Sequence, residues 1–143
     1  WKCLFVDLIK NFKRGRYEGE PNNLLNYGYA ILRATVARSL MGSGLLPTLG
    51  YHHKNQYNAY CLADDVMEPY RPFIDEMVLE LMRSSEDDME LTPARKQKLL
   101  KIPVLDVTIN GQKSPLMLAV QQTTASLYQC YAKEKKKIKF PEF

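Results

Sequence analysis

The chain has 143 residues, 45% of them hydrophobic, and a formal net charge of +4, which is one domain's worth of sequence with an ordinary share of core-forming side chains. No apolar run approaches the ~20 residues that span a bilayer, and no charged-then-apolar leader opens the chain, so no membrane association and a cytoplasmic location are expected. Cys3, Cys61 and Cys130 are odd in number and far apart, which fits neither a disulfide framework nor a C-x-x-C zinc site, and the modest basic charge permits a nucleic-acid partner without requiring one.

In chain order, Trp1, Leu4, Phe5, Leu8 and Phe12 recur at helical spacing from the first residue with no capping residue ahead of them, as if the chain were entered partway along a helix. Lys13 to Asn22 carries Gly15, Gly19 and Pro21 and reads as a loop. Lys13, Arg14 and Arg16 make that loop basic: it is either a solvated connection or a grip on DNA phosphates. Asn22 or Asn23 is predicted to cap a long helix through about Met41, closed by Gly42 and Gly44. Its apolar residues, among them Leu24, Leu25, Gly28, Leu32, Val36 and Leu40, cover more than one face, which places it at the centre of a bundle. Arg33 and Arg38 interrupt that surface, and at least one is expected to form an internal salt bridge.

Leu45 to Tyr60 is irregular, with Pro47, Gly50, Asn55 and Asn58 as turn formers. A helix follows from about Cys61, and Pro69 should kink or restart it because proline lacks a backbone donor and clashes with the preceding turn. Phe73, Met77, Val78, Leu81 and Met82 then form an apolar stripe to about Arg83. Ser84 to Glu90 reads as a polar loop, and Thr92 with Pro93 starts a short basic helix to about Ile102. Val-Thr-Ile-Asn-Gly within Val104–Lys113 predicts a two-stranded hairpin. Ser114 and Pro115 open a last helix to about Lys133, and the lysine-rich tail reads as a solvated, mobile end. The fold class is therefore all-α: a multi-helix bundle over residues 1–143 with one small β-hairpin near 104–113.

Most of the chemistry lies between Gly50 and Pro72. Both histidines, His52 and His53, precede Asp64, Asp65 and Glu68, and in a regular helix Glu68 falls beside both aspartates on one face. Like charges so placed repel unless a cation lies between them. Carboxylates with one imidazole suit Mg²⁺ or Mn²⁺, Mn²⁺ the better, whereas zinc would want more nitrogen or sulfur. The alternative is structural, since acidic residues in a helix's first turn are favoured by its dipole alone.

Gly50, His53 and the run Leu62-Ala63-Asp64-Asp65-Val66-Met67-Glu68-Pro69-Tyr70-Arg71-Pro72 resemble the CRISPR-associated integrase of spacer acquisition, the Cas-one family, in the branch that accompanies type II systems. Asn23–Tyr29, Asn55–Asn58 and Lys113–Met117 match as well, so the resemblance covers nearly the whole chain, with Val66 and Tyr70 as mild departures. It implies the family's C-terminal helical domain, with an upstream β-rich domain and a further ligand glutamate just before Trp1. It also selects His53 over His52, because the family histidine follows the glycine by three positions.

The resemblance implies a metal-dependent DNA endonuclease and integrase, joining a DNA 3′-hydroxyl into a repeat by transesterification. His53 and Glu68 are the expected catalytic ligands, and Asp65 binds the ion or orients a ligand. Arg14, Arg16, Lys54, Asn55, Asn58 and Arg71 are the candidate DNA contacts. Implied partners are DNA, a second copy of the chain and a Cas-two protein dimer, with no small-molecule substrate. Lacking the upstream glutamate, the isolated 143 residues are expected to be inactive or nearly so. Two other readings of the residues stand beside this one: a non-catalytic helical dimerisation module, and a general DNA-binding module using the basic loop and tail.

Overall fold

A computed structural model of the chain describes residues 21–52, 57–83 and 90–143. Expectations for the segment before Pro21 and for the loop after Arg83 lie outside these. Five α-helices are described: α1 (Asn22–Gly42), α2 (Cys61–Met67), α3 (Arg71–Arg83), α4 (Pro93–Leu99) and α5 (Leu116–Tyr131). A 3-10 turn, Glu68–Tyr70, joins α2 to α3, and a second, Ile102–Val104, follows α4.

Helix α1 is the axis of the bundle. Leu25, Leu32, Val36 and Leu40 are fully buried, and the helix packs against α2, α3, α4 and α5, as a helix with so wide an apolar surface must. Gly28 allows the closest approach: a Cβ there would lie 2.7 Å from Cγ2 of the buried Ile74 on α3. The expected asparagine cap is absent. Pro21 precedes the helix with no side-chain cap, and its carbonyl accepts from the amides of Leu24 and Leu25, while Asn22 is itself buried in the first turn. At the other end Gly44 adopts φ +76°. Its amide bonds Met41 O and that of Leu45 bonds Leu40 O, a Schellman closure that requires the left-handed residue. Gly42 remains inside the helix.

The proline break after Glu68 is where the sequence puts it. Three residues of tighter turn separate α2 from α3, and Tyr70 in that turn is fully buried, its hydroxyl 2.7 Å from Thr123 Oγ1 on α5. Thr92 caps α4 by accepting from the Arg95 amide, but that helix stops at Leu99, short of the expected Ile102.

The hairpin lies two residues later than expected, with β1 (Asp106–Ile109) paired antiparallel to β2 (Gln112–Pro115). Asn110 and Gly111 turn it with positive φ of 52° and 71°, as the Asn-Gly pair requires. Ser114 and Pro115 belong to the strand, so α5 starts at Leu116. The tail corrects a second expectation. Pro141–Glu142 forms β3 on the free edge of β1, giving a three-stranded sheet of order β2-β1-β3. The Lys139 amide donates to Ser126 Oγ, Glu142 accepts from the Gly111 amide, and Phe143 meets Phe73 edge-on. The exposed lysines from Lys133 to Lys137 are thus held between α5 and this docked end. Val107 and Ile109 turn inward to complete the core beside α5.

Candidate active site

The three carboxylates of α2 and its following turn diverge rather than converge. Asp64 points into the bundle and is 4% exposed. Arg33 Nε of α1 donates to its Oδ1 at 2.7 Å, and Asn58 Nδ2 to its Oδ2 at 2.7 Å. This is the internal salt bridge that an arginine on an apolar helix demanded. Arg33 also lies over the Tyr60 ring, 5.9 Å from its centroid.

Asp65 turns the other way. Its Oδ2 accepts from the backbone amides of Tyr51 and His52, at 2.6 and 2.9 Å, so it holds the end of the irregular segment immediately before His53. It also borders a groove of about 470 Å³ lined by Tyr51, His52, Leu127, Tyr131 and Phe140. A larger cleft, about 610 Å³, lies between α1 and α5 and is lined by Arg38 and Gln121, among others; no acidic residue among the described residues lines it.

Glu68 occupies the proline break. Its Oε1 pairs with Arg71 Nη2 at 3.1 Å, both side chains about one third exposed. Arg71 lies over the Tyr29 ring at 5.1 Å, and the Tyr29 hydroxyl donates to the fully buried Asp75. Arg71 Nε is buried and has no hydrogen-bond partner among the described residues.

Of the candidates named from sequence, Asp65, Glu68, Asn58 and Arg71 are therefore placed within the α2–α3 segment and its approach. Asn58, expected to offer donors to DNA, uses one amide hydrogen on Asp64, and its carbonyl oxygen accepts from the Tyr60 amide; in this position it clips the loop to the helix. His53, Lys54, Asn55, Arg14 and Arg16 lie outside the described residues. Among the described residues no three of His, Cys, Asp and Glu group to hold a metal ion. Carboxylate oxygens are hard donors of the kind that Mg²⁺ or Mn²⁺ takes; one oxygen of Asp65 is engaged by two backbone amides, Glu68 is partly exposed, and His53 is the nitrogen expected from the sequence. Sequence reasoning missed Tyr29 and Asp75. An aspartate in the apolar stripe that starts at Phe73 was the available signal, because a buried carboxylate needs a donor.

The family model for CRISPR associated protein Cas1 matches residues 10–101. The chain belongs to the Cas1 family. It is 40% identical over 123 residues to a CRISPR-associated endonuclease Cas1 of Neisseria meningitidis, an alignment covering 85% of this chain and 40% of the relative. A CRISPR-associated endonuclease Cas1 of Pyrobaculum aerophilum is 31% identical over 121 residues, covering 83% of this chain and 41% of the relative. The chain thus spans about 40% of the length of these relatives. In fold it resembles a casposase solved bound to its integration product, with a TM-score of 0.73 and 24% identity over 91% of this chain and 41% of that one. The thiol of the buried Cys61 donates to the Asn58 carbonyl, and no described helix is long and apolar enough to cross a membrane.

Proposed function

We propose that this chain carries part of the active site of a metal-dependent DNA endonuclease and integrase acting in CRISPR spacer acquisition. The observation that carries the reading is Glu68. It stands at a proline-broken helix, partly exposed, with an ion pair to a partly exposed arginine, an arrangement that can be exchanged for a cation at small cost. Family membership and the named relatives support it.

His53 and Glu68 would hold Mg²⁺ or Mn²⁺, with Asp65 as a third ligand or as the anchor of the chain entering His53. The ion would act as a Lewis acid and template at the scissile phosphate. Around it the chain's own groups divide the work. Asp65 fixes the Tyr51–His52 backbone and so the starting point of the His53 segment. Arg71 offers a planar set of N–H donors to a phosphate oxygen. DNA is the proposed substrate, a Cas-two dimer and a second copy of the chain the proposed partners.

The test is strand transfer of a short duplex into a repeat-bearing plasmid by the full-length protein, with and without Mn²⁺. Metal-dependent joining that falls about 100-fold or more in both His53→Ala and Glu68→Gln, the scale of losing a catalytic electrostatic group, supports the reading. Joining that survives both substitutions moves the active site elsewhere.

A further inference from the structure

Helix α3 carries Arg71 and Asp75 one turn apart, and Tyr29 of α1 lies across that face, touching both. Its hydroxyl is tied to a carboxylate with no solvent exposure. Such a group holds its donor firmly, because water cannot replace the lost bond. The ring is therefore a fixed plate, and a guanidinium over an aromatic face is drawn to it by the ring quadrupole. From that plate Arg71 reaches Glu68 through Nη2, while Nε stays without a partner among the described residues.

We propose that Tyr29 is a positioning residue that seats Arg71 as a placeholder for the cation on Glu68, an inference that rests on the metal reading above. While no cation is bound, the seated guanidinium holds the Glu68 carboxylate in one orientation. With Glu68 engaged by a cation, Arg71 would keep its seat on the same plate, its Nη2 free to donate to a phosphate oxygen while Nε stays buried. The arginine thus competes with the cation and assists the reaction, so its removal moves metal affinity and activity in opposite directions. A residue needed only for the fold has no such signature.

The experiment titrates the full-length protein with Mn²⁺ alone, following free Mn²⁺ by electron paramagnetic resonance, and assays strand transfer in parallel. Arg71→Gln is expected to tighten Mn²⁺ binding about two- to fivefold, the worth of a partly exposed ion pair, while lowering strand transfer. Tyr29→Leu is expected to shift Mn²⁺ affinity in the same direction, and to add nothing in the Arg71→Gln background, because it acts through the arginine. An equal shift in both backgrounds, or none in either, overturns the proposal. On the metal-free wild-type protein, the Arg71 Nε–H proton should show a ring-current displacement and a nuclear Overhauser contact to the Tyr29 ring. Absence of both overturns the proposal even if Tyr29→Leu fails to fold. Their presence in a protein that binds no Mn²⁺ keeps the seat and rejects the metal reading instead.

Discussion

Asp64 and Glu68 stand one helical turn apart, each paired with an arginine, in opposite surroundings. Asp64 is buried, and each of its oxygens has a donor at 2.7 Å. Glu68 is partly exposed, and its arginine pairs at 3.1 Å with one nitrogen still unpartnered among the described residues. A carboxylate of the first kind joins elements together, and its loss is read in stability. One of the second kind can be exchanged at small cost, and under the proposed function its loss is read in chemistry.

The strongest way to break this comparison is to remove Arg33. Arg33→Met leaves a buried carboxylate with Asn58 alone, a cost of several kcal/mol for a fully buried pair. Because Arg33 is 40% exposed, the expected loss is roughly 2 to 3 kcal/mol. Urea unfolding should show a lower midpoint at unchanged slope, and replacing Asp64 with leucine in the same variant should recover part of the loss. An unchanged midpoint would erase the distinction between the two carboxylates.

Tyr70 sharpens the comparison from the same turn, because it fastens to α5 the segment from which Glu68 emerges. Burial pushes its phenol up from the ordinary 10.0 to about 12, partly opposed by the Thr123 hydrogen bond. Between these values the unfolded chain has lost the proton that the folded chain keeps. Tyr70's contribution is therefore complete below about pH 10 and falls as pH rises toward about 12, by about 1.4 kcal/mol per pH unit. Tyr70→Phe should remove this share of the alkaline slope in unfolding curves taken between those limits.

How much of this was legible in the sequence follows from which forces were local. The long apolar helix, the break at Pro69, the Thr92 cap and the Asn-Gly turn are each written in a few adjacent residues, and the structure agrees with them. Arg33's need for an acid was legible too, because its neighbours on α1 are apolar. The direction of each carboxylate was not. Helical spacing placed Asp64, Asp65 and Glu68 on one face, but partners from α1, from the Tyr51–His52 backbone and from α3 decide where each points. Strand β3 escaped for the same reason, since two residues cannot show an alternation and their pairing partner lies about thirty positions earlier. His53 rests on the resemblance.

Packing on the closed side gives a smaller effect. Gly28→Ala should gain about 1 kcal/mol of helix propensity, but the added methyl would meet Ile74 at 2.7 Å. Overpacking of that kind costs about 1 to 3 kcal/mol. A net loss near 1 kcal/mol in the unfolding midpoint is expected, and a gain would mean that α1 and α3 can separate freely, which would also loosen the seat that Tyr29 gives Arg71.

The smallest effect is the most informative one. Arg71→Met removes a partly exposed ion pair and a ring contact, together worth about 1 kcal/mol, but it also removes a buried N–H that has no partner among the described residues and whose desolvation opposes folding. The two nearly cancel, so stability should change by about 0.5 kcal/mol or less, against the roughly 2 to 3 kcal/mol expected for Arg33→Met. Equal losses from the two arginines in parallel urea curves would make Glu68 as structural as Asp64, and the exchangeable carboxylate on which the proposed chemistry depends would have to be sought at Asp65.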